Sequence, residues 1–446
     1  MTVCPKKATV AGNMEPLGIA LLGCGTVGSG VARLLLEQPE RLAARAGRPL
    51  VLRRVVVRDT NKRRSAAIPR ELLTTDLRSV VTDPSIQLAV ELVGGDEWAR
   101  RAVLDLFGAG KDVVTANKAL LATHGPEVFE AARQHRRAIA FEASVGGGIP
   151  IVAALSQSLS ANQIISLQGI LNGTSNFILT NMAEQGQSYA EALREAQQRG
   201  YAEADPTLDV DGTDAAQKLA ILAQIAFGLR VPLSAIEHRG IADVQEIDLR
   251  YGRELGYTIK LLAEAWLNDR QLALHVSPVL VRLHTPLAEV RGPYNAVKVV
   301  GDAVGDTLYY GQGAGQMPTA SAVVADIIDM AVGRAQRTFQ TLRLWSGNGA
   351  NVTQRPSSTV RTRFYLRCPV LDRPGVLADI ARELAHHEIS IASVIQHEAL
   401  DEEEGGTVPL VIMTHTALTG NFRTALEQIN RLGCVAAPSV YYPVAE

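Results

Sequence analysis

Cysteine is scarce and scattered. The four residues, Cys4, Cys24, Cys368 and Cys434, show neither CxxC nor Cys/His spacing, which argues against a zinc site and a disulfide framework and fits a reduced cytoplasm. Long apolar runs are missing as well. No window approaches the ~18 residues of a membrane span, and the first sixteen residues hold Lys6 and Lys7 but no signal-type apolar core, so 1–16 reads as a loose tail. Neither charge is in excess: Lys and Arg number 44, Asp and Glu 46, and the formal net charge of −2 provides no basic field for nucleic acid or an anionic membrane. Tandem repeats and low-complexity tracts are also absent. What is left is a globular composition, 47% hydrophobic and 20% charged over 446 residues, long enough for about three domains and suited to a small-molecule substrate.

The texture changes along the chain. Between residues 17 and 141, short apolar runs ("LGIALLG", "VLRRVVV", "LAVELVGG", "DVVTA", "RAIAFEA") alternate with helical stretches, the pattern of a parallel, doubly wound α/β sheet. Residues 142–340 mix helices such as "SYAEALREAQQRG" with strand-like "IISLQGIL" and "VKVVGDAVGDTLYYG", which predicts a separate α+β domain. A Gly-, Ser-, Asn- and Pro-rich stretch makes 341–361 a linker. Residues 362–446 then read as strand, helix, strand, strand, helix, strand, a compact βαββαβ unit.

The first strand runs straight into Gly23-Cys24-Gly25-Thr26-Val27-Gly28 and then into the helix-like "SGVARLLLEQ". With a strand before it and a helix after, this GxGxxG can make the tight turn, admit a pyrophosphate to the backbone and aim helix N–H groups at the phosphates. The second strand ends in Arg58-Asp59, with Lys62, Arg63 and Arg64 close behind. An arginine there suits a 2′-phosphate and an acid suits a ribose hydroxyl, so the balance leans to NADP with NAD as the alternative.

Two lysines stand out. Lys118 follows "VTAN" at the carboxyl edge of the sheet, where doubly wound folds bind ligands. In "DVDGTDAAQKLAIL", Asp214 and Lys218 are four apart and share one helix face, hemmed in by Ala215, Ala216, Leu219 and Leu222. A solvated helix pair is the bland reading. Apolar neighbours instead suggest a partly desolvated amine able to exchange a proton near neutral pH, a candidate acid/base.

Six blocks in order, "GCGTVGSGV", "VTANKALL", "FEASVGGGIPI", "GILNGTSNFILT", "GYAEADPTLDVDGTDAAQKLAIL" and "GAGQMPTASAVVADI", closely resemble homoserine dehydrogenase, and "DRPGVLADIARELAHHEISIASVIQ" resembles an ACT domain. The resemblance implies a Rossmann domain, a substrate and dimerisation domain whose end returns to it, and a regulatory tail. It implies reversible, nicotinamide-dependent interconversion of L-aspartate 4-semialdehyde and L-homoserine, toward threonine, methionine and isoleucine. Lys218 would be the acid/base, with Asp214 positioning its ammonium and sharing substrate contacts. Glu203 would bind the substrate's amino group, Thr174 and Asn172 would lie near the ligand, and Lys118 would polarise the carbonyl or relay protons beside the nicotinamide. A helix N-cap explains Thr174 equally well. Gly200 would fall in the loop that meets the cofactor and Gly315 where the chain returns to the nucleotide domain, both as cofactor contacts, with backbone conformation alone as the other reading.

The same resemblance makes "FEASVGGGIP" a loop for sodium or potassium, with Glu142 and the carbonyls of Val145, Gly147 and Ile149 as ligands. In the tail, Asp372, Gly375, Val376 and Leu377 would mark an effector loop for threonine, with Val376 and Leu377 in the core, and the enzyme would be a homodimer or homotetramer. Two other readings compete: a nucleotide-bound amino-acid sensor without turnover, and an ACT-tailed hydroxyacid dehydrogenase. The first should have lost an acid/base position and the second wants an Arg/Glu/His set, yet Lys118, Glu203, Asp214 and Lys218 are all present.

Overall fold

All six residues of the strand Leu17–Leu22 (β1) are buried, as in a strand covered on both faces. It sits inside a parallel sheet with Leu50–Val56 (β2), Leu73–Thr74 (β3), Leu88–Glu91 (β4), Asp112–Thr115 (β5) and Ile139–Ala140 (β6), in the order β3-β2-β1-β4-β5-β6. This computed structural model describes residues 14–64, 66–346, 352–397 and 406–445. Cys4, most of the expected tail and residues 347–351 of the expected linker lie outside them. Strand order reverses between β1 and β4, the switch point at which such sheets take their ligands, and the glycine turn leaves β1 there.

The chain forms two units, one from Met1–Gln163, Ala220–Leu233 and Tyr309–Ala350, the other from Ile164–Leu219, Ser234–Leu308 and Asn351–Glu446. In the first, Ile19, Leu21, Val55, Val90 and Val114 from the strands pack with Val31 and with Val323 and Ile327 of the helix Gln316–Val332.

The second unit is built on a long sheet. Its strands are Ile164–Ile170 (β7), Glu237–His238 (β8), Tyr257–Asn268 (β9), Gln271–Arg282 (β10), Tyr294–Gly301 (β11), Gly305–Gln312 (β12), Thr353–Gln354 (β13), Arg361–Leu371 (β14), Ile391–Gln396 (β15), Thr407–Thr414 (β16), Ala417–Leu418 (β17) and Val440–Val444 (β18). Nine of them run in the order β12-β11-β7-β9-β10-β18-β14-β16-β15, while β8 and β13 pair with β10 and β17 pairs with β14. The tail joins the rest through the pairing of Leu280 with Val444, and through the buried Asp248, which accepts hydrogen bonds from Arg367 Nε at 2.6 Å and the Tyr365 hydroxyl at 3.0 Å. Helices Val376–His386 and Thr419–Ile429 close a core of Phe364, Leu366, Ile380, Leu384 and Phe422, so the tail is the expected βαββαβ unit with a short extra strand, β17.

Three local expectations are corrected. The run "RAIAFEA" gives only the two residues of β6, because the chain leaves the sheet at Phe141 and turns at Glu142–Ser144 to aim the Glu142 carboxylate at the next helix. The linker is not wholly irregular, since Thr353 and Gln354 pair with Gln271 and Leu272. Leu377 is 43% exposed rather than core, because the buried face of its helix runs through Val376, Ile380 and Leu384.

Candidate active site

At the glycine turn Gly23 and Gly28 each have a steric reason. Gly23 has φ +94, and a Cβ there would meet the Leu92 carbonyl oxygen at 2.8 Å; one at Gly28 would lie 2.4 Å from the Gly23 carbonyl oxygen. Gly25 differs, since a Cβ on it would enter open space with no protein atom within 4 Å. That open cradle faces the start of the helix Thr26–Glu37, whose first turn carries no acidic residue, and Gly25 and Thr26 are exposed. A pyrophosphate therefore fits where backbone N–H groups and the helix dipole favour an anion. Gly30, which sequence reasoning passed over, packs against Ala320, whose Cβ a new methyl would meet at 2.9 Å.

A second set lies at the carboxyl edge of the same sheet. The fully buried Glu91 accepts from the Thr115 hydroxyl at 2.7 Å and from the Val93 amide at 2.8 Å, and the Thr115 oxygen in turn accepts from the Asn117 amide at 3.0 Å. Asn117 caps the helix Lys118–Gln134 by accepting from Leu120 N, and donates its Nδ2 to the Gly95 carbonyl at 2.6 Å. This network fixes the strand end and starts the helix at Lys118, which is half-buried.

The opening residues of the helix Thr213–Phe227 carry the central arrangement. Lys218 is 9% exposed, and its Nζ donates to Asp214 Oδ2 and to the Leu171 carbonyl, both at 2.7 Å. Asn172 Nδ2 donates to Asp214 Oδ2 at 2.9 Å and to Asp209 Oδ1 at 2.8 Å, while its Oδ1 accepts from Ser175 N and so caps the helix Gly173–Gln185. Burial raises the pKa of Asp209; the Asn172 hydrogen bond opposes that, the Asp214 charge adds to it and Lys218 opposes it. An ammonium has three donors, so with two on protein oxygens one remains for a ligand. Asp209 and the Leu171 carbonyl were not singled out in the sequence.

Other expected residues have plain positions. Asn172, not Thr174, is the cap; Thr174 donates its hydroxyl to the Tyr201 carbonyl at 2.8 Å and so ties the Gly200–Tyr201 bend to the same region. Glu203 is exposed, and Gly200 has φ +74, a left-handed turn that favours glycine. Gly315, φ +126, precedes the helix Gln316–Val332, and the Gln316 amide donates to the Thr26 carbonyl at 3.1 Å. Arg58 and Asp59 are exposed just past β2, where Asp59 Oδ1 accepts from Asn61 N, and Arg64 is turned back onto the Lys62 carbonyl.

In the expected cation loop, Glu142 Oε1 and Oε2 accept from Val152 N at 2.9 Å and Ala153 N at 2.7 Å, and burial pushes its carboxyl up to about 7 against those two bonds. Gly146 and Gly147 have φ +74 and +54, and a Cβ on Gly147 would strike the Gly313 carbonyl at 2.4 Å, so Val145, Gly147 and Ile149 lie on a bend only glycine can make. Among the described residues no cluster of three or more His, Cys, Asp or Glu could chelate a metal. In the tail, Gly375 has φ +93 and opens the helix at Val376, and Gln396 Nε2 approaches Asp372 Oδ1 at 3.5 Å. Among the described residues no helix is long and apolar enough to cross a membrane.

Family models match three successive stretches: the homoserine dehydrogenase NAD-binding domain over residues 23–142, homoserine dehydrogenase over 150–328 and the ACT domain over 364–434. Homoserine dehydrogenase of Synechocystis sp. is 43% identical over 95% of this chain and 98% of its own, and that of Pseudomonas aeruginosa 42% identical over 96% and 98%. The crystal structure of a homoserine dehydrogenase from Thiobacillus denitrificans superposes with a TM-score of 0.89 at 42% identity, covering 97% of this chain and 99% of that one. A hyperthermophilic archaeal homoserine dehydrogenase in complex with NADPH gives a TM-score of 0.61 at 26% identity, over 72% and 98%. A glycine turn built for a nucleotide, a buried lysine with a donor to spare and end-to-end relatives above 40% identity converge on one conclusion: the chain belongs to the homoserine dehydrogenase family, oxidoreductases with a nicotinamide-binding domain.

Proposed function

We propose that this enzyme reduces L-aspartate 4-semialdehyde to L-homoserine, reversibly, with Lys218 as the general acid. The observation that carries the reading is Lys218 Nζ held at 2.7 Å by both Asp214 Oδ2 and the Leu171 carbonyl. Two fixed partners leave one N–H direction, a preorganised donor for an oxygen that gains charge during reaction. The hydride comes from the reduced nicotinamide nucleotide when it is bound. As the aldehyde oxygen becomes an alkoxide, Lys218 gives it a proton and is left as the neutral amine, while Asp214, anchored by Asn172, keeps the nitrogen in place for reprotonation from water. Thr174, Glu203 and Asp214 supply the polar contacts of the substrate, and Lys118 polarises the carbonyl.

NADP is the preferred nucleotide in this reading. Arg58 is exposed beyond β2 and Asp59 uses one carboxylate oxygen in its own turn, which supports phosphate over ribose recognition, as does the NADPH in the archaeal relative. Gly23, Gly25, Thr26, Val27 and Gly28 hold the pyrophosphate, and Gly200 and Gly315 border the nucleotide. A sodium or potassium ion on Glu142 and the carbonyls of Val145, Gly147 and Ile149 is supported by the buried carboxyl and glycine bend. Threonine inhibits through Asp372, Gly375, Val376 and Leu377, and the exposed apolar Leu377 and Val394 support pairing of tails in a homodimer or homotetramer of the cytoplasm. Oxidation of L-homoserine followed at the reduced-nicotinamide absorbance, with NAD and NADP compared, tests the reading. Turnover with neither would overturn it.

A further inference from the structure

The sheet of the second unit carries a rank of polar side chains that the reaction does not use. Gln168 on β7 lies opposite Glu264 on β9, Glu264 opposite His275 on β10, and His275 opposite Glu237 on β8. Facing pairs in a sheet point to the same side. This rank borders a cavity of about 460 Å³ whose other walls come from the tail and the segment leading to it, among them Phe364, Arg423 and Tyr441.

The cavity's chemistry is specific. Glu264 is 2% exposed; one carboxylate oxygen accepts from Gln168 Nε2 at 2.8 Å, and the other lies 3.5 Å from His275 Nε2. His275 Nε2 and the Ser277 hydroxyl have no hydrogen-bond partner, although Ser277 is 8% exposed. Burial pushes Glu264 up to about 7 and His275 down to about 4, so the neutral imidazole is no counter-ion. Unsatisfied buried polar groups of this kind are costly unless something pairs them. Cations line another part of the wall: Arg239, over the Tyr441 ring at 4.8 Å and bonded to its carbonyl, and Arg423, paired with Glu237. Trp266 and Phe364 add apolar surface.

We propose that this cavity binds a free α-amino acid with an apolar side chain, its ammonium on Glu264, its carboxylate on Arg239 and Arg423, and its side chain against Trp266 and Phe364. The site is separate from the loop at 372–377 and does not depend on what binds there. Because its walls come from both the central sheet and the tail, an occupant fixes one against the other.

The test uses the full-length protein, calorimetry and tryptophan fluorescence, with L-leucine and L-phenylalanine as probes and 3-phenylpropanoate and 2-phenylethylamine as analogues lacking one charge. Saturable binding of the amino acids is expected, with each analogue and each of Glu264→Gln and Arg239→Gln weaker by about tenfold or more, the usual loss when a charged partner is removed. Trp266→Phe should abolish the fluorescence change while heat of binding remains, and Asp372→Ala should bind as the parent does. Should Glu264→Gln fail to fold, Arg239→Gln and the analogues still decide. No saturable binding, equal binding by the analogues, or loss confined to Asp372→Ala would overturn the proposal.

Discussion

Lys218 Nζ and Asp214 Oδ2 lie 2.7 Å apart, one helical turn from each other, and both residues are buried. Removing one member of a buried pair strands the other charge, at a cost of about 3–5 kcal/mol. Asp214→Ala is therefore expected to lose stability of that order in urea unfolding. A loss below about 1 kcal/mol, as for a surface pair, would show that the pair is solvated in solution.

Gly25 and Gly28 should separate folding from nucleotide binding. Space around Gly25 is open, so Gly25→Ala should melt like the parent yet show little stabilisation by added NADPH. A methyl at Gly28 collides with the Gly23 carbonyl, so Gly28→Ala should unfold earlier without any ligand. Equal melting and equal NADPH stabilisation for both would contradict these roles.

The proposed preference for NADP rests on Arg58, exposed just past β2. Arg58→Ala should raise KM for NADP by about tenfold, the order expected for a charged hydrogen bond, and leave KM for NAD nearly unchanged. Parallel changes with both nucleotides would point to Asp59 and the ribose.

Glu264 and His275 should give opposing pH slopes. The folded state holds a proton on Glu264 up to about 7 against an ordinary 4.5, so its stabilisation is full below 4.5 and is lost as pH rises through 7. His275 stays neutral down to about 4 against 6.5, so its contribution is present above 6.5 and is lost as pH falls toward 4. The charges of Glu237, Arg423 and Arg239 act on the same ring, the first favouring its protonation and the two guanidiniums opposing it. Between about pH 4.5 and 6.5, the change of stability with rising pH should be more negative than the parent's in His275→Asn and more positive than the parent's in Glu264→Gln, each by at most about 1.4 kcal/mol per unit. Urea midpoints across that window check the signs, and equal slopes in the two variants would refute them.

Much of this was legible in the sequence because the relevant spacing is local. Asp214 and Lys218 declare themselves by their separation of four residues, and the glycine turn by its place between a strand and a helix. Asp209 does not, since only the Asn172 amide, from another segment, joins it to Asp214. The Leu171 carbonyl is main chain and leaves no mark in a sequence at all. Glu91, Thr115 and Asn117 meet only because β4 and β5 are neighbours, and Leu377 was misplaced because an apolar residue beside the core face looks like one on it.

The most direct measurement is steady-state oxidation of L-homoserine by Lys218→Ala, with NADPH binding determined in parallel. Acid/base catalysis by this amine requires kcat to fall about 10²–10⁴-fold with the nucleotide dissociation constant unchanged. A kcat within a few-fold of the parent would place the proton transfer on another group.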